Sequence, residues 1–277
     1  MAQKSVRDLL RVTPGGDAVV LAGYDARATP GVASRKRAER EIADDGAALA
    51  GLQERLWAEE RRAVLVVLQG TDTSGKDGVI KHVFDAVNPA GLTVTSFKVP
   101  TEAERRHHYL WRIKRALPRP GFIGIFNRSH YEDVIVVRVK ELVPQQVWEK
   151  RYDEINRWEA TLAKSDITVV KCFLHISFDE QRERLLARLD DPEKRWKFNP
   201  ADLDERARWA EYVLAYEAAL SRCSTEAAPW YVVPADRKWY RNWAIGKLLL
   251  ETLDDLAPEY PRPDLDIPAL RDTLTTN

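Results

Sequence analysis

A glycine-rich turn with one lysine is the part of this sequence whose residue types most clearly suggest chemistry. It reads GTDTSGKDG, follows an apolar run and precedes a segment with helical spacing. Glycines in such a turn let backbone N–H groups surround phosphate oxygens, and the start of the next helix adds partial positive charge. We therefore predict a phosphate-binding loop. Its members are Gly70, Thr71, Thr73, Ser74, Gly75, Lys76, Asp77 and Gly78.

The loop departs from the common ATP-binding pattern at one position. Asp77 follows Lys76, where such loops place the Ser or Thr whose hydroxyl holds magnesium. We expect Lys76 to reach the transferred phosphate; an ordinary turn with a solvent-facing lysine is the alternative. Asp72 is the nearest carboxylate that could coordinate the ion or orient an attacking phosphate oxygen. Its alternative role is an Asx-type turn cap.

The elements that would position this loop follow from the apolar runs. Most runs are continuous and rich in β-branched residues, as expected of parallel strands with helices on both faces. The five predicted strands cover residues 63–69, 92–99, 121–127, 167–176 and 230–234. Helical patterns fill the gaps between them. The predicted fold is an α/β three-layer αβα sandwich with a mostly parallel five-stranded sheet.

The domain organisation follows from the spacing of glycine, proline and charge. Residues 1–34 contain scattered Gly and Pro, which predicts an irregular N-terminal arm. Residues 34–60 have the spacing of an amphipathic helix, weakened near Gly46 and Gly51. We expect residues 35–277 to form a single domain.

Composition limits the class of protein. Lys plus Arg and Asp plus Glu both number 43 in the 277 residues, so any polyanion must be bound by a local basic patch. Two cysteines, Cys172 and Cys223, without a CxxC motif argue against a disulfide framework or zinc site. The sequence has no apolar leader and no run of membrane-spanning length. We expect a cytoplasmic protein without membrane contact.

A row of basic residues follows the second predicted strand. Arg105, His108, Arg112 and Arg115 have steps of three and four, which predicts one helix face. Such a face could track a linear polyanion through counterion release, and Lys81 could extend the track. A solvated helix face is the alternative.

A second basic segment is predicted to form a lid over residues 182–200. Its region around LDDPEKRWKFNP lacks regular periodicity and precedes a helix that Asn199 caps. A basic flap of this kind can close over phosphates and exclude water. The proposed lid cations are Arg182, Arg188, Lys194 and Lys197. The capped helix is predicted to bury Trp209, Val213, Tyr216 and Leu220 on one stripe.

Three stretches together resemble one known family. The loop GTDTSGKDG is similar to the G-x-D-x-x-G-K-x-G loop of the polyphosphate kinase 2 family, phosphotransferases that move phosphoryl groups between inorganic polyphosphate and nucleotides. FNRSHYEDVIVVRV, at 126–139, resembles its second signature. RLDDPEKRWKFNPADLDER and APWYVVPADRKWYRNWAIGKLLLETL resemble its lid and C-terminal region. The resemblance implies a thymidylate-kinase-like P-loop kinase with a helical lid, whose loop grips polyphosphate or the transferred phosphate.

The second motif contains further candidate ligands for the metal ion. Many relatives end this strand with aspartate, whereas this chain has Asn127, a poor magnesium ligand. The second acidic ligand beside Asp72 could therefore be Asp133, which we prefer, or Glu132. Arg128 follows the strand at the sheet edge where ligands bind, so its planar fork could clamp phosphate; a salt bridge is the alternative. His130 is not expected to act as a base, because phosphate oxygens are already nucleophilic.

The NRSHYED form resembles the branch that phosphorylates both AMP and ADP. The resemblance thus implies reversible phosphoryl transfer from polyphosphate to AMP or ADP, with Mg²⁺, or alternatively Mn²⁺, as cofactor. It also implies a homo-oligomer, either dimer or tetramer. The predicted catalytic residues are Asp72, Lys76 and Arg128, and the predicted metal ligands are Asp72 and Asp133.

Two other functions compete with this interpretation. An ATP-dependent nucleoside or nucleoside monophosphate kinase would share the fold and the loop but use another donor. A non-catalytic P-loop protein that binds nucleic acid would use the arginine row. The chain has no N-K-x-D guanine signature, and its zero net charge gives nucleic-acid binding little support.

Overall fold

The computed structural model describes residues 4–276. Its strands are β1 (Ala63–Gln69), β2 (Leu92–Ser96), β3 (Ile123–Asn127), β4 (Ile167–His175) and β5 (Trp230–Pro234). Its α-helices are α1 (Val6–Leu10), α2 (Arg35–Glu59), α3 (Lys76–Val83), α4 (Glu102–Arg105), α5 (Leu110–Arg115), α6 (Glu132–Val139), α7 (Gln145–Lys164), α8 (Phe178–Asp190), α9 (Ala201–Ala207), α10 (Trp209–Cys223), α11 (Lys238–Leu256) and α12 (Ile267–Thr276). Strands and helices alternate through most of the chain.

The five strands form one parallel sheet in the order β2-β3-β1-β4-β5. β1 lies in the middle, with Val64 opposite Ile123 of β3 and Ala63 opposite Ile167 of β4. The chain places β2 and β3 on one side of β1 and then crosses to the other side for β4. The carboxyl ends of β1 and β3 therefore flank a topological switch point, where open α/β sheets bind ligands. This architecture confirms the predicted fold class.

Two apolar cores cover the two faces of the sheet. Alternate residues of β1 point to opposite faces: Val66 joins one core and Val67 the other. Helices α2, α3 and α11 contribute to the first core, and α6, α7 and α10 to the second. Each fully buried Val or Leu side chain contributes about 1.5–3 kcal/mol of transfer free energy. Burial on both faces explains why β1 is a continuous apolar run.

Three predicted strands are shorter in the structure, and the smallest difference is in β4, which ends at His175 instead of residue 176. β2 ends at Ser96 instead of residue 99, and β3 begins at Ile123 instead of residue 121. Gly121 has a φ of 85° and donates its N–H to the carbonyl of Arg62, so it forms the turn before the strand. Pro100 follows the end of β2 and lacks the N–H that a ladder needs.

The predicted first amphipathic helix is confirmed as α2. Ser34 caps it by accepting a hydrogen bond from the N–H of Arg37 at 3.3 Å. The helix continues through Gly46 and Gly51 without a break. A Cβ at Gly46 would lie 3.5 Å from the Cβ of Ala86, so glycine here accompanies close packing beside α3.

The prediction of one continuous helix carrying Arg105, His108, Arg112 and Arg115 is wrong. The segment forms two short helices, α4 and α5, separated by a turn. Thr101 and Glu104 form a capping box at the start of α4, which ends one turn later at Arg105. Because the turn changes the chain direction, the four basic residues do not share a single helix face.

The helix predicted after Asn199 is also divided. The Asn199 side chain accepts from the N–H of Ala201 at 3.1 Å, which confirms the cap. The chain then leaves helical geometry at Arg208, where φ is −98° and ψ is 23°, and α10 starts at the next residue. Tyr216 and Leu220 are buried as predicted, whereas Trp209 and Val213 are half-buried.

The N-terminal arm packs along the last strand of the sheet. It contains the short helix α1, and the N–H of Val12 donates to the carbonyl of Trp230 at 2.8 Å. Leu10 enters the first core and Leu21 the second. The arm thus covers the open edge of β5, which would otherwise present unpaired backbone groups.

Two further observations concern membrane-spanning helices and the two cysteines. Across residues 4–276, no helix has both the length and the apolar character that crossing a bilayer requires. Cys172 and Cys223 are free and buried, and burial raises the pKa of both thiols to about 12. Neither thiol is therefore reactive in the folded chain.

Candidate active site

The loop between β1 and α3 is wound tightly around two glycines. Gly70 has a φ of 152°, and a Cβ there would lie 2.8 Å from the carbonyl oxygen of Leu174. Gly75 precedes α3 with a φ of 101°, and its Cβ would lie 1.8 Å from Nη1 of Arg241. Both positions require glycine, because of the positive φ and the close neighbour.

Lys76 lies inside this loop. Its Nζ donates to the carbonyl of Gly70 at 2.9 Å, the carbonyl of Thr71 at 3.2 Å and Oγ of Ser74 at 3.4 Å. Burial, with the nearby positive charge of Arg128, lowers the pKa of Lys76 to about 8. The structure thus places the ammonium within the loop, not in solvent.

Two threonine hydroxyls of the loop have no hydrogen-bond partner within residues 4–276. Oγ1 of Thr71 and Oγ1 of Thr73 are both buried. Thr73 also has a φ of 64°, an uncommon value for a β-branched residue. Buried hydroxyls normally find a partner, so these two are exceptions among the described residues.

A pocket opens beside the loop at the carboxyl edge of the sheet. Its floor is residues 70–72 of the loop, and α6 contributes Glu132. α9 contributes Glu205, and α10 contributes Tyr212 and Tyr216. The pocket therefore combines loop, second motif and the helices that follow the predicted lid.

Arg128 lies between two carboxylates in this pocket. Its Nη2 is 2.6 Å from Oδ1 of Asp72, and its Nη1 is 3.1 Å from Oε2 of Glu132. Glu132 and Asp72 together raise the pKa of Arg128 above its ordinary value, although burial opposes them. The structure thus contains the salt bridge that was the alternative for Arg128, and places it beside the phosphate-binding loop.

Asp72 also faces Glu205 of α9. Burial alone would raise the pKa of Asp72, but Arg128, Lys76 and a hydrogen bond with Glu205 hold it below its ordinary value. Burial and Asp72 raise the pKa of Glu205, although Lys140 pairs with it at 2.6 Å. Two carboxyl groups in contact favour a shared proton or a cation between them.

The two candidates for a second metal ligand take different places. Glu132 lines the pocket. Asp133 pairs with Arg151 instead. Nη1 of Arg151 lies 3.4 Å from Oδ1 of Asp133 and 2.9 Å from the carbonyl oxygen of Asp133. Burial raises the pKa of Asp133. The structure therefore brings Glu132, and not the preferred Asp133, to Asp72.

Asp77 and Asn127 contact each other. Nδ2 of Asn127 donates to Oδ1 of Asp77 at 2.7 Å. These are the two positions at which the sequence departs from the usual motifs. Their hydrogen bond joins the start of α3 to the end of β3, so each unusual residue has the other as its partner.

The other predicted phosphate-binding cations lie outside the pocket. Lys81 is exposed on α3, and Arg105 is exposed and donates to the carbonyl of Pro100 at 2.8 Å. Arg112 has a side chain only 8% exposed. It donates to the carbonyl of Lys98 at 2.7 Å and lies over the ring of Phe97. The expectation that Arg112 belongs to an open basic face is thus wrong, because its guanidinium is used in packing.

The predicted lid cations are mostly paired locally. Their partners are Asp179 for Arg182, Asp202 for Arg188, Asp191 for Lys194 and the ring of Trp196 for Lys197. Residues 182–190 belong to the regular helix α8, and the irregular part extends from residue 191 to α9. The Arg188–Asp202 pair, at 3.5 Å, connects α8 to the helix that carries Glu205.

Several site residues were missed from the sequence. Arg184 donates to the carbonyl of Thr73 at 2.8 Å, and Arg241 donates to that of Ser74 at 3.4 Å, so both support the loop from behind. Burial lowers the pKa of Arg241 to about 10. Arg241 interrupts the apolar stripe of α11, and an arginine at such a position indicates a buried polar contact. Nothing in the sequence distinguishes Glu205 from other surface acids.

This loop and this sheet together define a class of protein. A strand, a G-x4-G-K loop and a helix stand at the switch point of a parallel sheet, with Arg128 and acidic groups beside the loop. That combination is the site of a P-loop phosphotransferase. The family model described as Polyphosphate kinase 2 (PPK2) matches residues 32–261. The chain belongs to the polyphosphate kinase 2 family.

Individual relatives agree with this assignment. A Meiothermus ruber protein named AMP/ADP-polyphosphate phosphotransferase is 59% identical over 213 residues, which cover 77% of this chain and 80% of that one. A Rhodopseudomonas palustris protein named ADP-polyphosphate phosphotransferase is 43% identical over 258 residues, 89% of each chain. The crystal structure of polyphosphate kinase 2 from Arthrobacter aurescens TC1 superposes with a TM-score of 0.95 at 43% identity. That superposition covers 99% of this chain and 98% of the other.

Proposed function

We propose that this enzyme transfers a phosphoryl group from inorganic polyphosphate to AMP or ADP, reversibly. Membership of the polyphosphate kinase 2 family and the name of the Meiothermus ruber relative support this reaction. The observation that carries the proposal is the phosphate-binding loop itself. Lys76 lines it with two threonine hydroxyls that have no partner in the described part of the chain, and Arg128 lies nearby.

We assign the main roles to three side chains of this site. Lys76 and Arg128 neutralise charge on the transferred phosphate, and Asp72 orients Arg128 and would help to hold a metal ion. Phosphoryl transfer depends mostly on alignment and charge stabilisation. The terminal phosphate of AMP or ADP is already an anionic nucleophile, so no general base is required. His130 is fully buried, which agrees with the absence of such a role.

The donor groups of the pocket fit a divalent cation, which we propose to be Mg²⁺ with Mn²⁺ as an alternative. Asp72 faces Glu205 and shares Arg128 with Glu132, so three carboxyl groups lie close together there. Within residues 4–276, no group of three or more His, Cys, Asp or Glu side chains surrounds one point. Mg²⁺ usually takes one or two carboxylates and completes its shell with water and phosphate oxygens. Asp72 and Glu132 would hold it, and the ion would neutralise phosphate charge.

We propose that the predicted lid over 182–200 moves in its irregular part, from residue 191 onward, while α8 stays in place. The Arg188–Asp202 pair, between α8 and α9, is the contact that supports a coupling between this segment and the pocket. Lys194 is mostly exposed and Arg182 more than half exposed, so both are accessible to a phosphate chain. Closure would exclude water and so favour transfer over hydrolysis.

The experiment that tests the reaction supplies ADP, Mg²⁺ and long-chain polyphosphate without ATP, and measures ATP formation. AMP is offered separately, with ADP formation as the readout, and a chelator is added to remove the metal. We expect ATP from ADP, and loss of activity with the chelator or in Lys76→Met. No product with polyphosphate, together with ATP-dependent phosphorylation of a nucleoside or nucleoside monophosphate, would establish the competing kinase.

Three further properties are proposed with the reaction. The family resemblance supports a homo-oligomer, a dimer or a tetramer, which light scattering after gel filtration measures. Two free buried cysteines are compatible with the cytoplasm. The equal numbers of acidic and basic residues support the absence of nucleic-acid binding, and tight, salt-sensitive RNA or DNA binding would contradict it.

A further inference from the structure

A buried polar network lies directly beneath the second motif. We use this name for Gln69, Ser129, His130, Tyr131, Glu159 and Lys171, which are all fully buried. Glu159 is on α7 and Lys171 is in the middle of β4. Ser129, His130 and Tyr131 follow Arg128 directly in the chain. The network thus connects core elements to the turn that carries a pocket arginine.

All hydrogens of the Lys171 ammonium are used within the core. Its Nζ donates to Oε2 of Glu159 at 2.5 Å, the hydroxyl of Tyr131 at 2.7 Å and the carbonyl of Cys223 at 2.7 Å. The Tyr131 hydroxyl donates to Oε1 of Glu159 at 2.9 Å, and Nε2 of His130 lies 3.0 Å from that oxygen. Tyr131 and His130 are therefore fixed by one ion pair.

The network also reaches the start of the phosphate-binding loop. Nε2 of Gln69 donates to Oγ of Ser129 at 3.1 Å, and Gln69 immediately precedes Gly70. The same Oγ accepts from the N–H of Tyr131 at 3.2 Å. Ser129 therefore links β1, just before the loop, to the second motif.

Arg128 has a backbone conformation that needs such support. Its φ is 63°, in the left-handed region that non-glycine residues rarely adopt. Its N–H donates to the carbonyl of Leu68 at 3.0 Å, which fixes one side of the turn. The three residues after it are held by the network. Strained backbone of this kind persists only where the surroundings over-determine it.

A buried ion pair is a costly way to fill a protein core. Well-packed apolar residues of similar volume often do as well or better for stability, because two charges must be desolvated. Burial alone would raise the pKa of Glu159, but Lys171 and His130 hold it below its ordinary value, which favours the carboxylate form. A gain in folding stability therefore does not explain well why the core contains this ion pair.

We propose that Glu159 and Lys171 are positioning residues for phosphoryl transfer. Through Tyr131 and Ser129 they hold Arg128 in its left-handed conformation, with its guanidinium between Asp72 and Glu132. The ion pair itself never touches substrate. This inference rests on the proposed function only for the choice of assay, and wild-type activity in that assay is measured first.

The test replaces the ion pair as a unit, since either single change would leave a buried charge unpaired. In the variant Glu159→Leu/Lys171→Met we expect a folded protein with a lowered melting temperature, because the Tyr131 hydroxyl, His130 and the Cys223 carbonyl lose buried partners. We expect kcat with ADP and polyphosphate to fall about 10- to 100-fold, because small misplacement of an aligned group is costly. KM for polyphosphate should change by less than about threefold, since the loop is intact.

A matched control and a second variant keep the test decisive. Thr252→Val alters a buried hydrogen bond on α11, where Oγ1 of Thr252 donates to the carbonyl of Leu248, and should leave kcat unchanged. Ser129→Ala introduces no charge and removes the link among Gln69, Ser129 and Tyr131. It should lower kcat about fivefold or more while the protein remains folded. If the double variant does not fold, the kcat of Ser129→Ala decides the outcome of the test.

A double-mutant cycle identifies the route of the effect. If the network acts through Arg128, replacing the network residues should lower kcat hardly any further in an Arg128→Ala background. Two results would overturn the proposal: wild-type kcat in a folded network variant, or the same fold-loss in both backgrounds. Failure of the proposed function is distinguishable, because wild-type enzyme would then form no ATP from ADP and polyphosphate.

Discussion

Two ion pairs in this enzyme have similar groups and opposite environments. Arg128 pairs with Asp72 at 2.6 Å in the pocket, with side chains 35% and 17% exposed. Lys171 pairs with Glu159 at 2.5 Å in the core, with both side chains fully buried. The proposed role of Arg128 requires it to exchange a carboxylate for a phosphate, which its partly exposed position in the pocket permits. Lys171 cannot, since protein atoms occupy all its hydrogen-bonding positions.

The difference between the two ion pairs separates a charge that can interact with substrate from a charge that holds the protein structure in place. In the pocket, a partner can leave, so substitution there should change rate more than stability. In the core, a partner cannot leave, so removal of one charge should mainly change stability. The following predictions are arranged from the largest expected effect on activity to the smallest.

Asp72→Asn should produce the largest loss of activity. The change removes the negative charge that holds Arg128 and the proposed metal ion, while it preserves the shape of the side chain. We expect kcat to fall by about 10³-fold or more, with a melting temperature near that of wild type. Asp85→Asn, an exposed acid after α3, is the matched control. Near wild-type turnover in Asp72→Asn would remove the pocket carboxylate from the mechanism.

Glu132→Gln and Asp133→Asn should separate two neighbouring acids. Glu132 lines the pocket and Asp133 pairs with Arg151. We expect kcat to fall about tenfold in Glu132→Gln, because one partner of Arg128 and of the metal is lost. Asp133→Asn should lower kcat by at most about threefold but lower the thermal midpoint, since Arg151 loses its charged partner. The reverse order would restore Asp133 as the metal ligand.

The pH profile should report the buried lysine of the loop. Lys76 has a pKa of about 8 in the free enzyme, below its ordinary value, so it loses its charge as pH rises through 8. We expect kcat/KM for polyphosphate to fall about eightfold between pH 7.5 and 9. Bound phosphate restores the pKa, so kcat should persist to higher pH. Lys76→Arg should flatten this limb in whatever activity remains, whereas a wild-type profile flat to pH 9.5 contradicts the assignment.

Arg105→Gln and Arg112→Gln should give the smallest effects on turnover. Arg105 is exposed, and its loss should raise KM for polyphosphate by no more than about twofold. Arg112 packs on Phe97 and donates to the Lys98 carbonyl, so its loss should cost about 1–3 kcal/mol of stability. Steady-state kinetics and thermal melts measure the two effects. A tenfold or greater KM increase for either variant would restore the predicted polyanion track.

The loop and sheet could be predicted because their causes are local. The glycines and Lys76 lie within one turn, and β1 shows burial on both faces as a continuous apolar run. The break at Arg208 and the turn between α4 and α5 could not, since helical spacing continues across both. Glu132 and Asp133 differ by one position, so only the packing of α6 decides which enters the pocket. Glu205 depends on a contact across 133 residues of sequence with Asp72.

The hydrogen bond between Val12 and Trp230 has a consequence for synthesis on the ribosome. The arm leaves the exit tunnel before its partner strand, because Val12 precedes Trp230 by 218 residues. Leu10 and Leu21 must therefore remain without their final neighbours while most of the polypeptide is made. Contacts of such long sequence separation form slowly. The nascent chain thus exposes the apolar surface of the arm until β5 has emerged, and that interval is when chaperones would matter most.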